Sequence, residues 1–368
     1  MIREFNVVKE QIKNFNLDLS GLTIITECAS GFYAYNTFVP ILANAKKVIA
    51  VSKTTFYGSF EENKKNIEDL AKKLNIDISN LEVVEKIEEH HLKEADIITN
   101  SGLVRPITSE MMAKMKHTAV IPLMWETWEF RDEDLDLNSA IKNDILVLGT
   151  KETSKEIDMR GYAGLLGLAV LVYLNLEVYK TKVVLFGNEV LGNAIAETFQ
   201  KNNVEYLWFV EKPCQNNQKS YKKLGDYKNI IKSYDAVLFA EHSYRDEILT
   251  NENGLTLKEL SHLNEEIKIG VIAGNINQEE LIRSSLEYFP KKIMPAGYMS
   301  FQPYHMGAKP VIELFSAGLK IGEQMARCRL NEMSLEDTIN FMTTKYFAMD
   351  FIGKSYMDRY KQIRGENC

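Results

Sequence analysis

The hydrophobic positions of this chain follow two alternating spacings. Short runs rich in Val, Ile and Leu recur along the sequence, and the segments between them carry apolar residues at helical spacing. Strands that alternate with amphipathic helices form a parallel sheet with helices on both faces, so the pattern predicts an α/β protein. The predicted strands are residues 23–26, 47–51, 81–84, 95–99, 119–122, 145–148, 182–186, 206–210, 236–240, 267–273 and 293–300.

A long apolar segment, residues 158–176, interrupts this alternation and marks a domain boundary near residue 150. A helix with so little polar surface must be covered, either between domains or in a dimer interface. The expected fold class is therefore α/β with two Rossmann-like parallel-sheet domains and an interdomain cleft. Residues 1–150 form the first domain, flavodoxin-like in its alternation and completed by C-terminal helices from about 310–368, and residues 151–309 form the second.

The most informative stretch is a strand, a glycine turn, a helix and a second strand between Lys182 and Glu211. The first strand ends at Gly187, and Gly192 opens the helix. Such a unit places backbone N–H groups beneath a pyrophosphate, and an acid about twenty residues later holds a ribose hydroxyl. The predicted cofactor contacts are Gly187, Asn188, Glu189, Val190, Leu191, Gly192 and Glu211, with Ala240, Glu241, Ala273, Gly274 and Asn275 at the ends of two later strands.

Two acidic residues bear on which dinucleotide binds and on how its phosphates approach the turn. A 2′-phosphate would meet the carboxylate of Glu211, so NAD(H) is favoured over NADP(H). Glu189 stands where the fingerprint has its middle glycine, at the point of closest approach to the phosphates. We predict that Glu189 points away from the phosphates, or that the cofactor sits displaced from it. The alternative is an ordinary strand-to-helix turn that binds nothing.

Composition and charge limit the kinds of partner that the chain is expected to bind. With 368 residues and 45% hydrophobic content, the chain is long enough for two cores. The net charge of −7 is spread without a basic stripe, which argues against a nucleic-acid surface. The apolar uncharged run at residues 161–176 is shorter than the roughly 20 residues of a membrane helix, and the N-terminus lacks the apolar core of a signal peptide. We expect a small-molecule partner and no membrane or nucleic acid.

The cysteines point to a reducing compartment. Cys28, Cys214, Cys328 and Cys368 are far apart, and none belongs to a CxxC pair. This spacing argues against a disulfide framework and against a zinc site. We therefore expect a cytoplasmic protein without a bound metal.

A polar loop after a predicted strand, residues 100–105, is a candidate ligand site because open α/β sheets bind ligands at the carboxyl ends of strands. Ser101, Gly102 and Arg105 are the expected anion contacts. For Arg105, a solvated surface charge is the alternative. Trp125 is expected to wall a pocket, to lie at the edge of the core or to anchor an interface. The turn at residues 27–31 either lines a cleft or simply connects two elements.

The order of these segments resembles that of the D-isomer-specific 2-hydroxyacid dehydrogenases and their formate-dehydrogenase-like relatives, and more distantly S-adenosylhomocysteine hydrolase. NSGLVRPITSEMMAKM is similar to the family's substrate loop and GNEVLG, followed by Glu211, to its cofactor fingerprint. YDAVLFAEH is similar to the strand beneath the nicotinamide, and PYHMG to the tract of the catalytic histidine. The resemblance implies NAD as the cofactor, a substrate domain in residues 1–150 with about 310–368, and a dinucleotide domain in residues 151–309.

The resemblance also implies residue roles. His305 would be the acid/base of hydride transfer, with Tyr304 and Lys309 in reserve, and Arg105 with the Gly102 backbone would hold the substrate's carboxylate. A structural histidine that caps the following helix is the alternative for His305. No arginine occurs at 273–275, where the family has its catalytic arginine.

Two functions therefore remain open. The first is an NAD(H)-dependent oxidoreductase for a small polar hydroxy or keto compound, and the second is a non-catalytic or repurposed nucleotide-binding or regulatory protein. Because closed two-fold dimers are the commonest assembly, we expect a homodimer built mainly on the second domain, with residues 158–176 near the interface.

Overall fold

The computed structural model describes residues 2–365, and Cys368 lies outside them. The described residues form two compact units. Unit 1 comprises residues 2–158 and 307–365, and unit 2 comprises residues 159–306. Each unit has a largely parallel sheet, which confirms the α/β class with two parallel-sheet domains.

The first part of unit 1 alternates strands with helices. Its strands are β1 (Thr23–Glu27), β2 (Lys47–Val51), β3 (Leu81–Val84), β4 (Ile97–Ile98), β5 (Val120–Pro122) and β6 (Leu146–Thr150). Its helices are α1 (Ile2–Asn14), α2 (Phe38–Leu42), α3 (Phe60–Leu74), α4 (Glu89–Glu94), α5 (Ser109–Met112) and α6 (Leu137–Lys142), with 3-10 helices at Gly31–Thr37 and Thr127–Glu129.

Unit 2 repeats the alternation. Its strands are β7 (Lys182–Gly187), β8 (Glu205–Val210), β9 (Gln218–Ser220), β10 (Ala236–Ala240), β11 (Lys268–Ala273) and β12 (Tyr288–Phe289). Its helices are α7 (Met159–Tyr173), α8 (Leu191–Lys201), α9 (Lys228–Ile231), α10 (Leu257–Leu263) and α11 (Gln278–Arg283), with 3-10 helices at Tyr221–Tyr227 and Pro303–Met306.

The chain then returns to unit 1. The returning elements are α12 (Lys309–Leu330), α13 (Leu335–Lys345), β13 (Ala348–Met349) and α14 (Tyr356–Arg364). Ser334 and Ser355 accept hydrogen bonds from backbone N–H groups at the starts of α13 and α14, which explains where these two helices begin.

The sheet of unit 1 has the order β13-β6-β5-β4-β1-β2-β3. All neighbours are parallel except β13, which runs antiparallel to β6. From β1 the chain builds the sheet outward to β2 and β3, then crosses back to β4 on the other side. The switch point of this sheet therefore lies between β1 and β4, and ligands of open α/β sheets bind at the carboxyl ends of strands at such a point.

The sheet of unit 2 has the order β12-β11-β10-β7-β8-β9, with every neighbouring pair parallel. Its switch point lies between β7 and β10. The end of β7 is Gly187, which pairs with Ala240 at the end of β10. The glycine turn predicted to bind the cofactor therefore begins at the switch point of this sheet.

The predicted strand at residues 293–300 is wrong. Within it, only Met299 makes a bridge, an isolated antiparallel one to Ala273. Pro295 has no N–H to donate to a ladder, and Gly297 has φ +88, so a regular strand cannot form there. The short strand β12, which the sequence pattern did not indicate, takes the edge of the sheet beside β11.

The apolar helix α7 packs on α8 through two glycines. A Cβ added at Gly164 would lie 2.1 Å from Thr198 Oγ1 and 2.7 Å from the Ala194 carbonyl oxygen, and one at Gly167 would lie 2.7 Å from Ile195 Cγ2. The two helices therefore touch at a distance that side chains at 164 and 167 would not allow. No helix among the described residues is long and apolar enough to cross a membrane.

Candidate functional site

The glycine turn of unit 2 depends on direct contact between its two glycines. A Cβ added at Gly187 would lie 2.7 Å from Gly192 Cα, and one at Gly192 would lie 2.6 Å from the Gly187 carbonyl carbon. The buried Trp208 on β8 donates its indole N–H to the Gly187 carbonyl oxygen at 3.0 Å. The strand-to-helix turn is thus fixed in shape, with the N-terminus of α8 at the carboxyl edge of the sheet.

Asn188 uses part of this helix N-terminus itself. Its Oδ1 accepts the N–H groups of Val190 at 3.1 Å and Leu191 at 2.8 Å. Its Nδ2 donates to Ser243 Oγ at 3.0 Å, directly beyond β10. Asn188 therefore bridges the switch point, and a phosphate would have to displace its side chain to reach those two N–H groups.

Glu189 is turned toward the loop between β8 and β9. Its Oε1 accepts from Gln218 Nε2 at 2.6 Å and from the Cys214 thiol at 3.1 Å, and its Oε2 accepts from Gln215 Nε2 at 3.2 Å. The hydrogen bond to Glu189 raises the pKa of the Cys214 thiol. Gln218 is buried, and its Oε1 in turn accepts the N–H groups of residues 214 and 215. The expectation that Glu189 points away from bound phosphates stays a prediction.

Glu211, the predicted ribose contact, lies just beyond β8 and is half-exposed. Its carboxylate lies 3.7 Å from Lys212 Nζ. Its carbonyl oxygen accepts the Ser220 hydroxyl at 3.3 Å. The carboxylate is therefore accessible at the edge of the sheet, one strand away from the glycine turn.

Glu241, a predicted cofactor contact, has its carboxylate satisfied inside the unit. It is buried and accepts the Tyr221 hydroxyl at 2.6 Å and the N–H groups of Ser243 and Tyr244 at 2.8 and 3.0 Å. Burial, together with this neighbouring carboxylate, raises the pKa of Tyr221. Ala240 is likewise buried, so both residues belong to the interior of the unit at the carboxyl end of β10.

The last predicted cofactor positions lie at the end of β11. Ala273 accepts the Glu241 N–H at 3.0 Å, and Gly274 has φ +138, a conformation that favours glycine. Asn275 donates its Nδ2 to the Arg245 carbonyl oxygen at 2.8 Å.

Arg245 is a cationic side chain that the sequence did not single out. Its guanidinium lies against Gly297, where an added Cβ would overlap it. The chain fold brings Arg245 beside Asn275 although 30 positions separate them in the sequence. No sequence pattern links these two segments, so only the fold reveals that the Arg245 backbone lies beside Asn275.

His305 lies in the 3-10 helix Pro303–Met306 and is exposed. Its Nδ1 lies 2.9 Å from the Gln302 nitrogen and 3.1 Å from the Gln302 carbonyl oxygen. Its ring stacks on Tyr304 at 4.0 Å and on Phe301 at 5.0 Å between centroids. Partial desolvation by these neighbours lowers the pKa of His305, although the Gln302 carbonyl opposes that shift. The ring is therefore neutral near pH 7 and also caps its own turn.

Unit 1 places the predicted anion loop at its own switch point. Ser101 is buried, and its hydroxyl is 2.8 Å from Thr99 Oγ1. Arg105 pairs with Asp134, Nη1 to Oδ2, at 2.7 Å, and its guanidinium stacks 4.7 Å from the ring centre of Trp125. Arg105 is therefore an ion-paired residue with 22% of its side chain exposed, rather than a solvated surface charge. Lys309, the reserve residue, begins α12.

Glu27 is the residue of this site that the sequence analysis named only as part of a loop. It ends β1 and is 4% exposed. Its Oε2 accepts the Leu103 N–H at 3.3 Å, and the Gly102 N–H also donates to this carboxyl group. Burial raises the pKa of Glu27, and the hydrogen bond from Leu103 opposes the rise. The Gly102 N–H expected to hold a ligand anion thus has an acceptor within the chain, and its role as an anion contact stays a prediction.

A second cluster, formed by Glu82, His90 and His91, brings three possible metal-ligand atoms within 4.8 Å of one another. His91 Nδ1 accepts the Glu88 N–H at 3.0 Å, so a neutral ring carries its proton on Nε2, 3.1 Å from Glu82 Oε1. Glu82 also pairs with Lys47 at 3.0 Å. Both ring nitrogens of His91 are therefore engaged in holding α4 against β3, which is a structural role.

None of the protein-family models and none of the curated proteins compared matches the chain. Among solved structures, a dipicolinate synthase component from Bacillus halodurans is 10% identical with a TM-score of 0.49, and 85% of this chain covers 99% of that one. The NADPH-dependent glyoxylate/hydroxypyruvate reductase from Sinorhizobium meliloti is 10% identical with a TM-score of 0.48. The match covers 83% of this chain and 94% of that one. D-lactate dehydrogenase with NAD+ from Lactobacillus jensenii is 10% identical with a TM-score of 0.46. The match covers 85% of this chain and 98% of that one.

These structures include enzymes of 2-hydroxy acids, the class that the sequence motifs resemble. At such identities and TM-scores, the similarity says nothing about the chemistry of this chain.

Proposed function

We propose that the chain is an NAD(H)-dependent oxidoreductase for a small polar hydroxy or keto compound that bears a carboxylate, with His305 as the acid/base. The observation that carries this proposal is the direct contact of Gly187 with Gly192 at the switch point of unit 2. A strand and a helix that approach so closely leave backbone, rather than side chains, at the edge where parallel α/β domains bind dinucleotides.

The residues of unit 2 fit the cofactor in two places. The turn from Gly187 to Gly192 would hold the pyrophosphate, and the accessible carboxylate of Glu211 would hold the adenosine ribose. When bound, the nicotinamide supplies hydride acceptance and donation. The remaining chemistry is the movement of one proton at the substrate oxygen.

His305 suits that proton transfer because its ring has a partner in either neutral tautomer. Nδ1 accepts the Gln302 N–H in one tautomer and donates to the Gln302 carbonyl oxygen in the other. Nε2 can therefore carry the proton or be free to accept one, and Nδ1 keeps a hydrogen bond to Gln302 in both cases. A ring of this kind can take a proton from a hydroxyl group or return one to it.

A second function is favoured by a different observation. The side chain of Asn188 accepts the N–H groups of Val190 and Leu191, which reduces what the turn offers to a phosphate. Combined with the missing arginine at residues 273–275, this arrangement favours a non-catalytic or repurposed nucleotide-binding or regulatory protein.

Cofactor titration tests the choice. We expect purified protein to bind NADH more tightly than NADPH, because the 2′-phosphate of NADPH would meet Glu211. Isothermal calorimetry with each dinucleotide measures the difference, and Glu211→Ala should remove it. Glu205→Ala, which removes an exposed acid at the other end of β8, is the matched control. Tighter NADPH binding, or no binding of either dinucleotide, would exclude the proposed cofactor.

A homodimer through α7 remains a proposal. Helix α7 exposes an apolar face that includes Leu165, Val172 and Tyr173, whose exposed fractions are 47%, 60% and 54%. A second copy of the chain would cover this apolar face, as a two-fold assembly requires. We expect light scattering at micromolar concentration to give a dimer mass, and Leu165→Lys to shift it to the monomer. Leu330→Lys, at an equally exposed leucine of α12, should leave the dimer intact.

A further inference from the structure

The imidazole ring of His305 stacks on an aromatic ring that belongs to the core of unit 2. The centroids of the His305 and Phe301 rings are 5.0 Å apart, and only 17° separates the two ring planes. Phe301 is 2% exposed, whereas His305 is exposed. The Tyr304 ring also stacks on His305, at 4.0 Å and 28°, but it belongs to the same 3-10 turn and moves with it. Phe301 therefore ties the exposed imidazole ring to the buried interior.

Two other rings hold the Phe301 ring. Phe289 on β12 lies 5.2 Å from it at an interplanar angle of 71°, and Tyr173 at the end of α7 lies 5.7 Å from it at 75°. Tyr173 and Phe289 also stack on each other, at 4.5 Å and 8°. Edge-to-face and stacked pairs of this kind are the favoured arrangements of aromatic rings. Tyr173, Phe289 and Phe301 thus form an aromatic platform in which each ring contacts the other two.

The backbone at Phe301 is anchored as well. The N–H groups of Ser300 and Phe301 both donate to the Ile272 carbonyl oxygen, at 2.7 and 3.3 Å. Ile272 belongs to β11, an inner strand of the sheet of unit 2. The 3-10 turn that carries the histidine begins two residues after Phe301. The aromatic platform therefore has a fixed place at the sheet, directly before that turn.

A hydrogen bond at one nitrogen does not fix the direction of an imidazole ring. The Gln302 backbone holds the His305 ring at Nδ1, which leaves the ring free to turn about that atom. A stacked aromatic face adds the missing restraint because it fixes the plane of the ring. The contact at Nδ1 and the plane against Phe301 together set the direction of Nε2. Proton transfer needs that direction, because Nε2 must lie within hydrogen-bond reach of the substrate oxygen.

The orienting group of a catalytic base is often a carboxylate. Within residues 159–306, all of which the structure describes, no carboxylate pairs with His305, and the causes of its lowered pKa are desolvation and the Gln302 hydrogen bond. The aromatic face of Phe301 is the restraint that unit 2 offers in place of an acid.

We propose that Phe301 is a positioning residue that sets the plane of the His305 ring, and that Tyr173 and Phe289 hold Phe301 in place. The proposal rests on the proposed function in taking His305 to be the acid/base. All four residues belong to unit 2, and none of them is part of the turn expected to bind the dinucleotide.

The first measurement is the NMR spectrum of the full chain with isotope-labelled histidine rings, in which loss of a signal in His305→Asn identifies His305. Carbon-bound ring protons that lie over an aromatic face resonate upfield. Phe301→Leu should therefore move the His305 signal downfield. This measurement reports the contact between the rings whether or not His305 transfers a proton.

The second measurement is turnover of a 2-hydroxy or 2-keto acid that changes NADH absorbance. Phe301→Leu should lower kcat about ten-fold and leave KM and NADH affinity nearly unchanged, because a misdirected Nε2 slows proton transfer without weakening binding. Phe301→Tyr keeps the flat ring and should restore the upfield signal and most of kcat.

Phe38→Leu is the matched control for the loss of a buried ring. Phe38 is a fully buried phenylalanine of unit 1 that also lies edge-on to another ring, that of Phe5, at 6.0 Å. Its replacement should lower the unfolding temperature, as Phe301→Leu does, and leave the His305 signal and kcat unchanged.

Tyr173 provides a second variant if Phe301→Leu is poorly folded. Its side chain is 54% exposed, so replacing it opens no buried cavity. Tyr173→Leu keeps the α7 face apolar and should cause a smaller downfield shift of the His305 signal and a smaller fall in kcat than Phe301→Leu. Tyr173→Phe keeps the ring and should cause neither change.

The outcomes separate this proposal from the proposed function. An unchanged His305 signal in Phe301→Leu and Tyr173→Leu would overturn the positioning role, and so would normal kcat in Phe301→Leu when His305→Asn is impaired. Normal turnover of His305→Asn would overturn the proposed function and, with it, any catalytic consequence of the Phe301 contact, even where the His305 signal moves.

Discussion

Replacing His305 by Asn is expected to lower turnover by about 10²–10⁴-fold and to leave NADH affinity nearly unchanged, as for the loss of an acid/base group. Asn keeps a polar side chain of similar reach but cannot exchange a proton at Nε2. The measurement needs a substrate found by screening 2-hydroxy and 2-keto acids for a change in NADH absorbance. His262→Asn is the matched control, because that exposed histidine also bonds a backbone carbonyl, of Lys258 at 2.7 Å.

The pH profile separates proton transfer from a structural role. The pKa of His305 is lowered, and oxidation of a hydroxyl group requires the neutral ring. Oxidation by the wild-type enzyme should therefore lose activity as pH falls through a pKa below the ordinary histidine value, and His305→Asn should lack this acid limb. Normal turnover in the variant would show that His305 only caps its own turn.

The second large effect is expected at the glycine turn. Glu189→Gly should tighten NADH binding on the order of ten-fold, because it removes a solvent-screened negative charge from beside the pyrophosphate and restores the small residue of the fingerprint. It also frees Gln215 and Gln218, which hold the carboxylate over the β8–β9 loop. Fluorescence titration with NADH measures the change.

Two control variants resolve the cause of that change. Glu189→Gln keeps the shape and the acceptor for Gln218 but removes the charge, so it should give part of the gain. Glu197→Gln removes a different exposed acid of α8, one paired with Arg160, and should give none. Weaker NADH binding in Glu189→Gly would mean that the turn is not a pyrophosphate site and would favour the non-catalytic function.

The two sheets could be predicted from the sequence because inner strands, such as β2 and β10, contain continuous apolar runs that are buried on both faces. Of the edge strands, β3 was predicted, whereas β9, β12 and β13 were not. The strands β12 and β13 contain two residues each, too few for any periodicity, and they exist because a neighbouring strand offers them a ladder. The predicted strand at 293–300 does not form, although the segment is apolar. Pro295 has no N–H for a ladder hydrogen bond, and the positive φ of Gly297 is not that of a strand.

The candidate site was predictable where it lies within one continuous stretch. The turn from Gly187 to Gly192 and the histidine tract are such stretches. The contacts that decide their chemistry join distant segments: Glu27 and Leu103 are 76 positions apart, and Glu189 and Gln218 are 29 apart. A carboxylate in a sequence shows neither which donors it will meet nor whether it will be buried, so these partners became visible only in the folded chain.

The glycine contact between α7 and α8 has a mechanical meaning for the turn that α8 carries. Gly164 packs against the backbone of α8 at Ala194. A movement of α8 toward α7 would therefore make the two helices clash, and a movement along α7 would break this contact. Gly192 lies in the first turn of the same helix. The first helix of unit 2 thus fixes the position of the glycine turn, because a wider residue at position 164 would push on α8 only two residues from Gly192.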